Sequence, residues 1–546
     1  MRMLIFTLVA LLTWSAVSAQ WSTDLQHPLL LSEDVDNTGM PSVVEDGQGG
    51  VYVFWTSGTG FGPLGSHIMG QHLDGQGYPQ WEPGGRILVQ GGYYELSPSM
   101  AALPGGGFLL CWMETFDNVT TYAMMQRFDA DGLPDWQQPA QLGGSGGPYA
   151  DARYMNFFVN GNSAFVGFDC WTGQYIDVRL ARVDLDGTVV WGYNGILVED
   201  TSSVGLRASL VPDHSSGGYF LYRHYIQGQG EMLRVQRFNA NGDLLWPGGL
   251  VISDQYPVNT DNTVQLMASV GQHDAVTLYK GEGYAGPLVL TRLDTNGVAV
   301  WSPADRLIEG SDSTSQSYAM SADGEEVLTS WFRSPPQDDM YPYHVQRLGE
   351  QGNELWPAGG VQPLTSTVFD AGVVIHPWSA GGSLLFADLP GGFAVRRIAQ
   401  DGALSIAPVF LSDTSLWFDV VTQQSALIQL DDALVGALQL NGQDGDDIAV
   451  FRLAEPDLPM AVSATKSAVV PRAYPVPADA SIRVPTALEG QLRLLIADAC
   501  GHVVERGTIV PNGRVQITVD RYPPGAYFLE LSNDHGSQRT PFIVQH

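Results

Sequence analysis

The side chains that could perform chemistry are scattered through this sequence of 546 residues. Its eleven histidines have none of the spacings that bind zinc, and no P-loop, nucleophile-elbow serine or paired Cys-x-x-Cys occurs. His224 and His344 lie in or near loops and His376 precedes a proline. Each is better explained as a surface or packed side chain than as a base. The sequence therefore predicts no catalytic residue and no metal ligand.

Two oxygen-rich segments leave calcium open as a cofactor. Asp34 to Asn37 and Asn441 to Asp447 carry enough carboxylate and amide oxygens to bind Ca²⁺, but neither has the full spacing of a calcium loop. Turns produce such clusters as well. We therefore expect no cofactor, with calcium as the alternative.

Aromatic residues in the variable loops are the candidate ligand contacts. Tyr225, Tyr284, Tyr341 and Tyr343 follow the second strand of their repeat units, in acidic surroundings. Exposed tyrosine rings suit stacking on a sugar or contact with another protein. The alternative is that these rings cover the cores of the loops. We predict them as contacts for a glycan or a surface protein.

The charge balance excludes some partners. The chain has 26 Lys and Arg against 58 Asp and Glu, a formal net charge of −32. Residues 471–546 are balanced, so the excess of acid lies upstream. Such a surface repels phosphate backbones and anionic lipid headgroups, so a nucleic-acid partner is not expected.

An internal repeat sets the elements that must position these side chains. A glycine stands four residues before each repeat tryptophan, and an Arg or His stands nine residues before it. The unit reads as four short strands, with a tight Asp-to-Gly turn leading into the strand that carries the tryptophan. The tryptophans recur every 55 residues and are Trp81, Trp136, Trp191, Trp246, Trp301 and Trp356.

Four β-branched and aromatic strands per unit are typical of a propeller blade. Counting by the basic position gives eight units, of which the seventh has Ile406 in place of the tryptophan and the last has no tryptophan, while Trp21 stands alone near the N-terminus. We predict an all-β chain with an eight-bladed β-propeller over residues 20–460, in which the N-terminal strand bearing Trp21 closes the last blade. Seven blades is the alternative. The indoles, including Trp21, are scaffold residues that fill the gaps between blades.

The run from Leu293 to Trp301 resembles the tryptophan-docking motif of quinoprotein-type propellers with eight blades, in which a glycine also precedes the tryptophan by four residues. It is similar, less closely, to the Asp box of sialidase-like propellers. The resemblance implies the architecture and does not imply quinone chemistry.

Residues 1–19 predict a signal peptide. Arg2 precedes an apolar stretch from Met3 to Leu12, and Val17-Ser18-Ala19 has the small residues of a cleavage site. The stretch is shorter than the roughly 20 residues that a membrane helix needs. We therefore expect an exported protein without a transmembrane segment.

After a linker at 461–470, residues 471–546 predict a small antiparallel, Ig-like β-sandwich. Its motifs resemble the C-terminal sorting domain of the type IX secretion system of gram-negative Bacteroidetes. The resemblance implies delivery from the periplasm through the outer membrane, by the secretion translocon, to the cell surface or the medium. The motif residues are Tyr474, Pro475, Pro477, Asp498, Gly501, Pro523, Gly525 and Tyr527.

These features favour an exported, non-catalytic binding or adhesion module. Whether the protein is an enzyme stays open. The main alternative is a secreted polysaccharide hydrolase or lyase with acids at the mouth of the propeller channel. A quinone-dependent enzyme is a third hypothesis.

Overall fold

In the computed structural model the chain divides into two compact units, residues 1–461 and 462–546. The expected signal peptide and linker lie outside the described residues. All elements in the described part are β-strands, which confirms the all-β prediction. The structure describes residues 21–22, 28–32, 37–58, 66–90, 94–115, 120–146, 155–171, 176–203, 209–226, 230–252, 266–281, 286–308, 311, 314–333, 341–366, 373–378, 381–389, 392–405, 408–411, 427–430, 433–441, 446–454, 481–486, 490–498, 503–511, 514–533 and 536–544.

The strands are short and follow one another in hairpins. Those of the first unit are β1 (Leu29–Leu30), β2 (Asn37–Glu45), β3 (Val51–Gly58), β4 (Ser66–Leu73), β5 (Arg86–Val89), β6 (Tyr94–Ala102), β7 (Phe108–Thr115), β8 (Thr120–Phe128), β9 (Ala140–Gly146), β10 (Asn156–Asn160), β11 (Ser163–Trp171), β12 (Ile176–Asp184), β13 (Ile196–Ser203), β14 (Ser209–Pro212), β15 (Gly218–Ile226), β16 (Gly230–Phe238), β17 (Leu250–Val251), β18 (Leu266–Val270), β19 (Asp274–Lys280), β20 (Leu288–Leu293), β21 (Asp305–Leu307), β22 (Thr314–Asp323), β23 (Glu326–Arg333), β24 (Tyr341–Leu348), β25 (Val361–Ser366), β26 (Val373–Pro377), β27 (Ser383–Leu389), β28 (Gly392–Ile398), β29 (Val409–Leu411), β30 (Leu427–Leu430), β31 (Ala433–Asn441) and β32 (Asp446–Ala454). Those of the second unit are β33 (Ser481–Pro485), β34 (Leu492–Asp498), β35 (Val503–Ile509), β36 (Arg514–Thr518), β37 (Gly525–Asn533) and β38 (Gly536–Val544).

The described strands of the first unit form eight four-stranded antiparallel sheets. Sheets 1 to 7 each use four consecutive strands, from β2–β5 to β26–β29. Sheet 8 combines β30, β31 and β32 with β1 as its outer strand. Leu29 pairs with Val450 and Leu30 with Ala449, so the beginning and the end of this unit share one sheet.

Apolar clusters join each sheet to the next. Seven clusters link sheets 1 to 8 in sequence order. An eighth cluster contains Val450 of sheet 8, Val43 and Trp55 of sheet 1, and Trp21, which precedes β1. The eight sheets are therefore connected in a closed cycle, with the core of the unit lying between neighbouring sheets.

The repeat tryptophans dock on the glycine of the following unit. A Cβ atom on any of these glycines would approach the indole to between 2.7 and 3.2 Å, so the ring or the backbone would have to shift to admit it. Each of the glycines has a positive φ, between 72° and 92°. The pairs are Trp21 with Gly77, Trp81 with Gly132, Trp136 with Gly187, Trp191 with Gly242, Trp246 with Gly297, Trp301 with Gly352 and Trp356 with Gly402.

The tryptophan precedes the outer strand rather than lying in it, so the expectation that it is carried on a strand is wrong. Trp81 lies in a bend ahead of β5. The Gln71 side chain holds this bend, because its oxygen accepts from the Trp81 amide at 3.0 Å and its nitrogen donates to the Glu82 carbonyl at 2.9 Å. The backbone groups there are thus satisfied by a side chain instead of a strand partner.

The second unit contains two sheets in its described part, β33–β36 and β35-β34-β37-β38. Ile482 and Val515 of the first sheet share one apolar core with Ile496 and Leu529 of the second. Within the described residues, no helix combines the length and the apolar character required to cross a lipid bilayer.

Candidate functional site

The basic residue of the repeat unit ties its sheet to the next in sheets 2 to 5. In sheets 2 to 5 an Nη1 atom of this arginine donates to a backbone carbonyl in the turn of the following sheet. The pairs are Arg127 with Leu185 at 3.2 Å, Arg182 with Ala240 at 2.8 Å, Arg237 with Thr295 at 3.0 Å and Arg292 with Glu350 at 3.4 Å.

A carboxylate at the first hairpin of the sheet accepts from the same basic side chain. Asp213 lies 2.8 Å from Arg237, and Asp46 lies 2.8 Å from His72. Burial alone would raise the pKa of Asp213. Hydrogen bonds from Ser215, Arg237 and Gly217 outweigh that effect and leave its pKa lowered. These pairs are part of the scaffold and have counterparts in sheets 5 and 6, where Arg292 pairs with Asp274 and Arg347 with Asp323.

Sheet 6 keeps the pair between the arginine and a first-hairpin carboxylate but lacks the bond from the arginine to the following sheet. Arg347, which is 4% exposed, pairs through Nη2 with Asp323 at 2.8 Å and through Nε with Glu326. Its Nη1 atom is buried and has no hydrogen-bond partner among the described residues. The following unit is shorter than the others. The hydrogen bond from the indole to the turn carbonyl spans 44 residues at Trp356 but 49 residues at Trp136. The Gln400 carbonyl accepts from the Trp356 indole at 3.0 Å, but Arg347 makes no bond of the kind that the arginines of sheets 2 to 5 make to the following sheet within the described residues.

Sheet 7 departs from the pattern at its first hairpin. Trp378 occupies the hairpin position that Asp46 has in sheet 1 and Asp213 has in sheet 4. In all three hairpins the backbone amide of this residue donates to the carbonyl of the residue four positions later. The side chain of Trp378 is 3% exposed, and its indole nitrogen is buried without a partner among the described residues. An indole thus replaces the carboxylate of the first hairpin in sheet 7.

These departures meet at one cavity of about 500 Å³, which we call the hairpin-end cavity. It lies between sheets 6, 7 and 8, at the end of the sheets where the first and second strands join. Its volume is within the range of small-molecule sites. It is lined by Asp323, Glu325, Glu326, Arg347, Pro377, Trp378, Gly381, Gly382, Gln400 and Gln429.

The cavity presents both hydrogen-bond donors and acceptors. The Nη1 atom of Arg347 and the indole nitrogen of Trp378 can only donate. The carboxylates of Asp323, Glu325 and Glu326 accept. Asp323 and Glu326 engage the guanidinium and fix its plane, while the buried Nη1 atom has no partner among the described residues.

The tyrosines predicted as ligand contacts lie elsewhere. Connections between second and third strands are at the opposite end of an antiparallel sheet from the first hairpin. Tyr343 is fully buried in the core between sheets 6 and 7, so its ring is not available to a ligand. Tyr341 is partly buried and stacks on Phe332 with ring centroids 5.3 Å apart. The side chain of Tyr225 and the whole of Tyr284 lie outside the described residues.

The other candidate residues are dispersed. The rings of His344 and Trp331 stack at 5.4 Å, and His376 donates to the Pro377 carbonyl at 2.6 Å. Burial lowers the pKa of His376. Most of both oxygen-rich segments lies outside the described residues, and in the described part no three His, Cys, Asp or Glu side chains form a metal-binding group.

One structural residue type escaped the sequence reasoning. Gln71, Gln126, Gln236 and Gln346 each stand immediately before the repeat basic residue and each bonds the bend at the tryptophan. All stand ten residues before a tryptophan, so the same period would have revealed them. The hairpin-end cavity was also missed. Its available signal was the break in the period after Trp356.

In the second unit, part of the predicted sorting motif is described. The Tyr527 hydroxyl donates to the Pro523 carbonyl at 2.8 Å, which closes the turn that leads through Gly525 into β37. The backbone of Asp498 ends β34. Tyr474, Pro475, Pro477 and Gly501 lie outside the described residues.

The described residues define an all-β protein with a cycle of four-stranded sheets followed by a smaller C-terminal β unit. Residues 472–545 match the family described as "Secretion system C-terminal sorting domain". This domain marks proteins that the type IX secretion system of Gram-negative Bacteroidetes exports to the cell surface or the medium. None of the curated sequences compared with the chain matches it.

Several solved structures are similar to the chain at low identity. A polysaccharide lyase, an ulvan lyase bound to a saccharide, is 12% identical, with 70% of this chain and 95% of that chain covered and a TM-score of 0.38. The β-propeller domain of the Trilobed protease from Pyrococcus furiosus is 9% identical, with 66% and 99% covered and a TM-score of 0.38. Prolyl oligopeptidase B from Galerina marginata is 8% identical, with 79% and 55% covered and a TM-score of 0.40. At these values no activity is carried over to this chain.

Proposed function

We propose that residues 20–460 form a single eight-bladed β-propeller, closed by β1, and that residues 471–546 form a small β-sandwich that directs export. The closed cycle of sheets and the pairing of β1 with β32 support the propeller. The core shared by the two sheets of the second unit supports the sandwich.

We propose that the exported propeller is a non-catalytic binding module at the cell surface or in the medium. The observation that carries this proposal is the hairpin-end cavity, where two buried donors have no hydrogen-bond partner among the described residues and a set of carboxylates lines the same cavity. A buried polar group without a partner costs free energy, so retaining two of them at one cavity favours a ligand that completes their hydrogen bonds.

The test is a binding screen of the full mature chain against glycans and purified surface proteins, with turnover of each bound polysaccharide measured in parallel. Retention of a ligand in unmodified form supports a binding module. Cleavage of a bound polysaccharide overturns it in favour of the enzyme.

The second candidate is a polysaccharide hydrolase or lyase acting at the same cavity. It is favoured by the grouping of Asp323, Glu325 and Glu326 with one guanidinium, since glycoside cleavage uses paired carboxylates. Against it, Asp323 and Glu326 are both held by Arg347, which ties them to a scaffold role. If this candidate is correct, Glu325→Gln abolishes release of reducing ends or unsaturated products while binding persists.

A further inference from the structure

We propose that the hairpin-end cavity binds a neutral, hydroxyl-rich saccharide and discriminates against acidic polysaccharides. This inference rests on the proposed binding function and adds the ligand class and the residues that select it.

The unsatisfied donors call for an oxygen acceptor. The Nη1 atom of Arg347 and the indole nitrogen of Trp378 carry hydrogens but no lone pair, so a metal cation cannot satisfy them. The corresponding nitrogen in Arg182 and Arg237 donates to a backbone carbonyl oxygen. A ligand oxygen placed beside Arg347 would take the position that the carbonyl has in those sheets.

The charge of the cavity selects against anions. Asp323 and Glu326 pair with Arg347, while Glu325 pairs with Arg292 at 2.6 Å. The three carboxylates and the one guanidinium that line the cavity have a formal sum of −2. Including the neighbouring Arg292 and Asp274, which pair at 2.8 Å, leaves the sum unchanged. A sulfate or uronate group in the cavity would meet this negative field at short range, and its repulsion should weaken as salt is added. A neutral ligand is not repelled.

Sugar hydroxyls fit the mixed lining better than other neutral groups do. A hydroxyl accepts from one partner and donates to another. It can therefore take hydrogen bonds from Arg347 and Trp378 and return them to the carboxylates. The amides of Gln400 and Gln429, which also line the cavity, suit the same groups.

The experiment titrates the full mature chain with cellotriose, xylotriose, maltotriose and mannotriose, and with trigalacturonic acid as the acidic probe, by calorimetry at low and high salt. We expect at least one neutral trisaccharide to bind with little dependence on salt, and trigalacturonic acid to bind at least about tenfold more weakly. Tighter binding of the acidic probe overturns the inference.

Two variants test the donors. Trp378→Phe keeps an aromatic ring in the core but removes the indole N–H, and Arg347→Lys keeps the charge but removes Nη1. Each is expected to weaken the neutral saccharide by about three- to tenfold, the effect of one hydrogen bond. Arg237→Lys, at the same repeat position in sheet 4, is the matched control and is expected to leave binding unchanged.

The outcomes separate this inference from the function on which it rests. Saccharide binding that Trp378→Phe does not alter, in a variant with a native unfolding midpoint, overturns the cavity assignment and leaves the binding function standing. If the saccharides do not bind but a surface protein does, the ligand class is wrong. If neither binds, both proposals fail.

Discussion

The indole nitrogen of Trp21 donates a hydrogen bond of 3.1 Å to the carbonyl oxygen of Gly75, across 54 residues of sequence. The same indole covers Gly77, as each later indole covers the glycine of the next unit. It thus fixes the segment before β1 onto sheet 1 while β1 itself pairs with sheet 8. One side chain thereby joins the two ends of the cycle.

Replacing Trp21 tests this closure. We expect Trp21→Ala to lower the free energy of unfolding by about 3 to 5 kcal/mol, because the substitution removes a large, buried indole and its packing contacts. It should also expose the residues before β2 to protease. Denaturant unfolding and limited proteolysis with mass analysis of the N-terminus measure the two effects.

Trp136→Ala is the matched control, since its indole makes the equivalent hydrogen bond to the Leu185 carbonyl at an internal interface. It should lower stability without releasing the N-terminus. Equal protease resistance of the N-terminal segment in both variants would contradict the role given to Trp21.

Two glycine substitutions separate backbone strain from indole docking. Gly352 and Gly47 have φ values of 72° and 74°, so alanine is strained to the same degree at both. At Gly352 the new Cβ would also lie 2.7 Å from the Trp301 ring, whereas at Gly47 nothing lies within 4 Å.

We expect Gly47→Ala to cost about 1 kcal/mol and Gly352→Ala to cost about 1 to 3 kcal/mol more, from overpacking. Thermal unfolding of the two variants measures the difference. If both lose the same stability, the tryptophan does not require its glycine.

Asp213 gives a pH-dependent prediction. Burial favours its neutral form, but hydrogen bonds from Ser215, Arg237 and Gly217 prevail, so its folded pKa lies below the ordinary value of 3.8. A carboxyl with a lowered folded pKa stabilises the protein above its unfolded pKa. That contribution is lost as the pH falls through the folded pKa.

We therefore expect Asp213→Asn to lower stability by about 2 kcal/mol at neutral pH, with the gap to the native protein closing under acidic conditions below pH 3.8. Urea unfolding over a pH series measures this. Asp243→Asn, at an exposed position of the same sheet region, is the control and should change little. A gap that stays constant with pH would mean that the charge of Asp213 does not matter.

The repeat made the scaffold predictable because the same physical problem recurs in every sheet. Each sheet must cover its neighbour, and an indole over a glycine solves this at a constant interval, so the residue types are visible without coordinates. The Trp21 pairing was predictable for the same reason.

The hairpin-end cavity was not predictable in this way. It lies where Arg347 lacks a bond to the shortened following unit and where Trp378 replaces a carboxylate, and both features depend on three-dimensional register. The prediction of Tyr343 as a ligand contact is wrong because alternate residues of β24 face opposite sides of the sheet, and the Tyr343 ring lies on the side that packs against sheet 7. Loop composition does not reveal that orientation.

The sorting domain gives the last prediction. The Tyr527 hydroxyl closes the turn at Pro523, and its ring lies in the core of the second unit. Tyr527→Phe removes the hydrogen bond and keeps the ring, so we expect a loss of about 1 kcal/mol in the stability of this unit. If the secretion machinery reads the shape of that turn, export should fall by more than this loss explains.

The matched control is Tyr522→Phe, which removes another hydroxyl of the same core, bonded to Glu505 and outside the sorting motif. Export is measured as the fraction of protein at the cell surface and in the medium of a Bacteroidetes host that has the type IX system, against the fraction retained in the periplasm. We expect Tyr527→Phe to be retained and Tyr522→Phe to be exported normally at similar stability. Equal export of the two variants would show that the turn at Pro523 contributes to stability alone. If the secretion machinery recognised this turn, a change in the turn would reduce export more than an equally destabilising change elsewhere in the core.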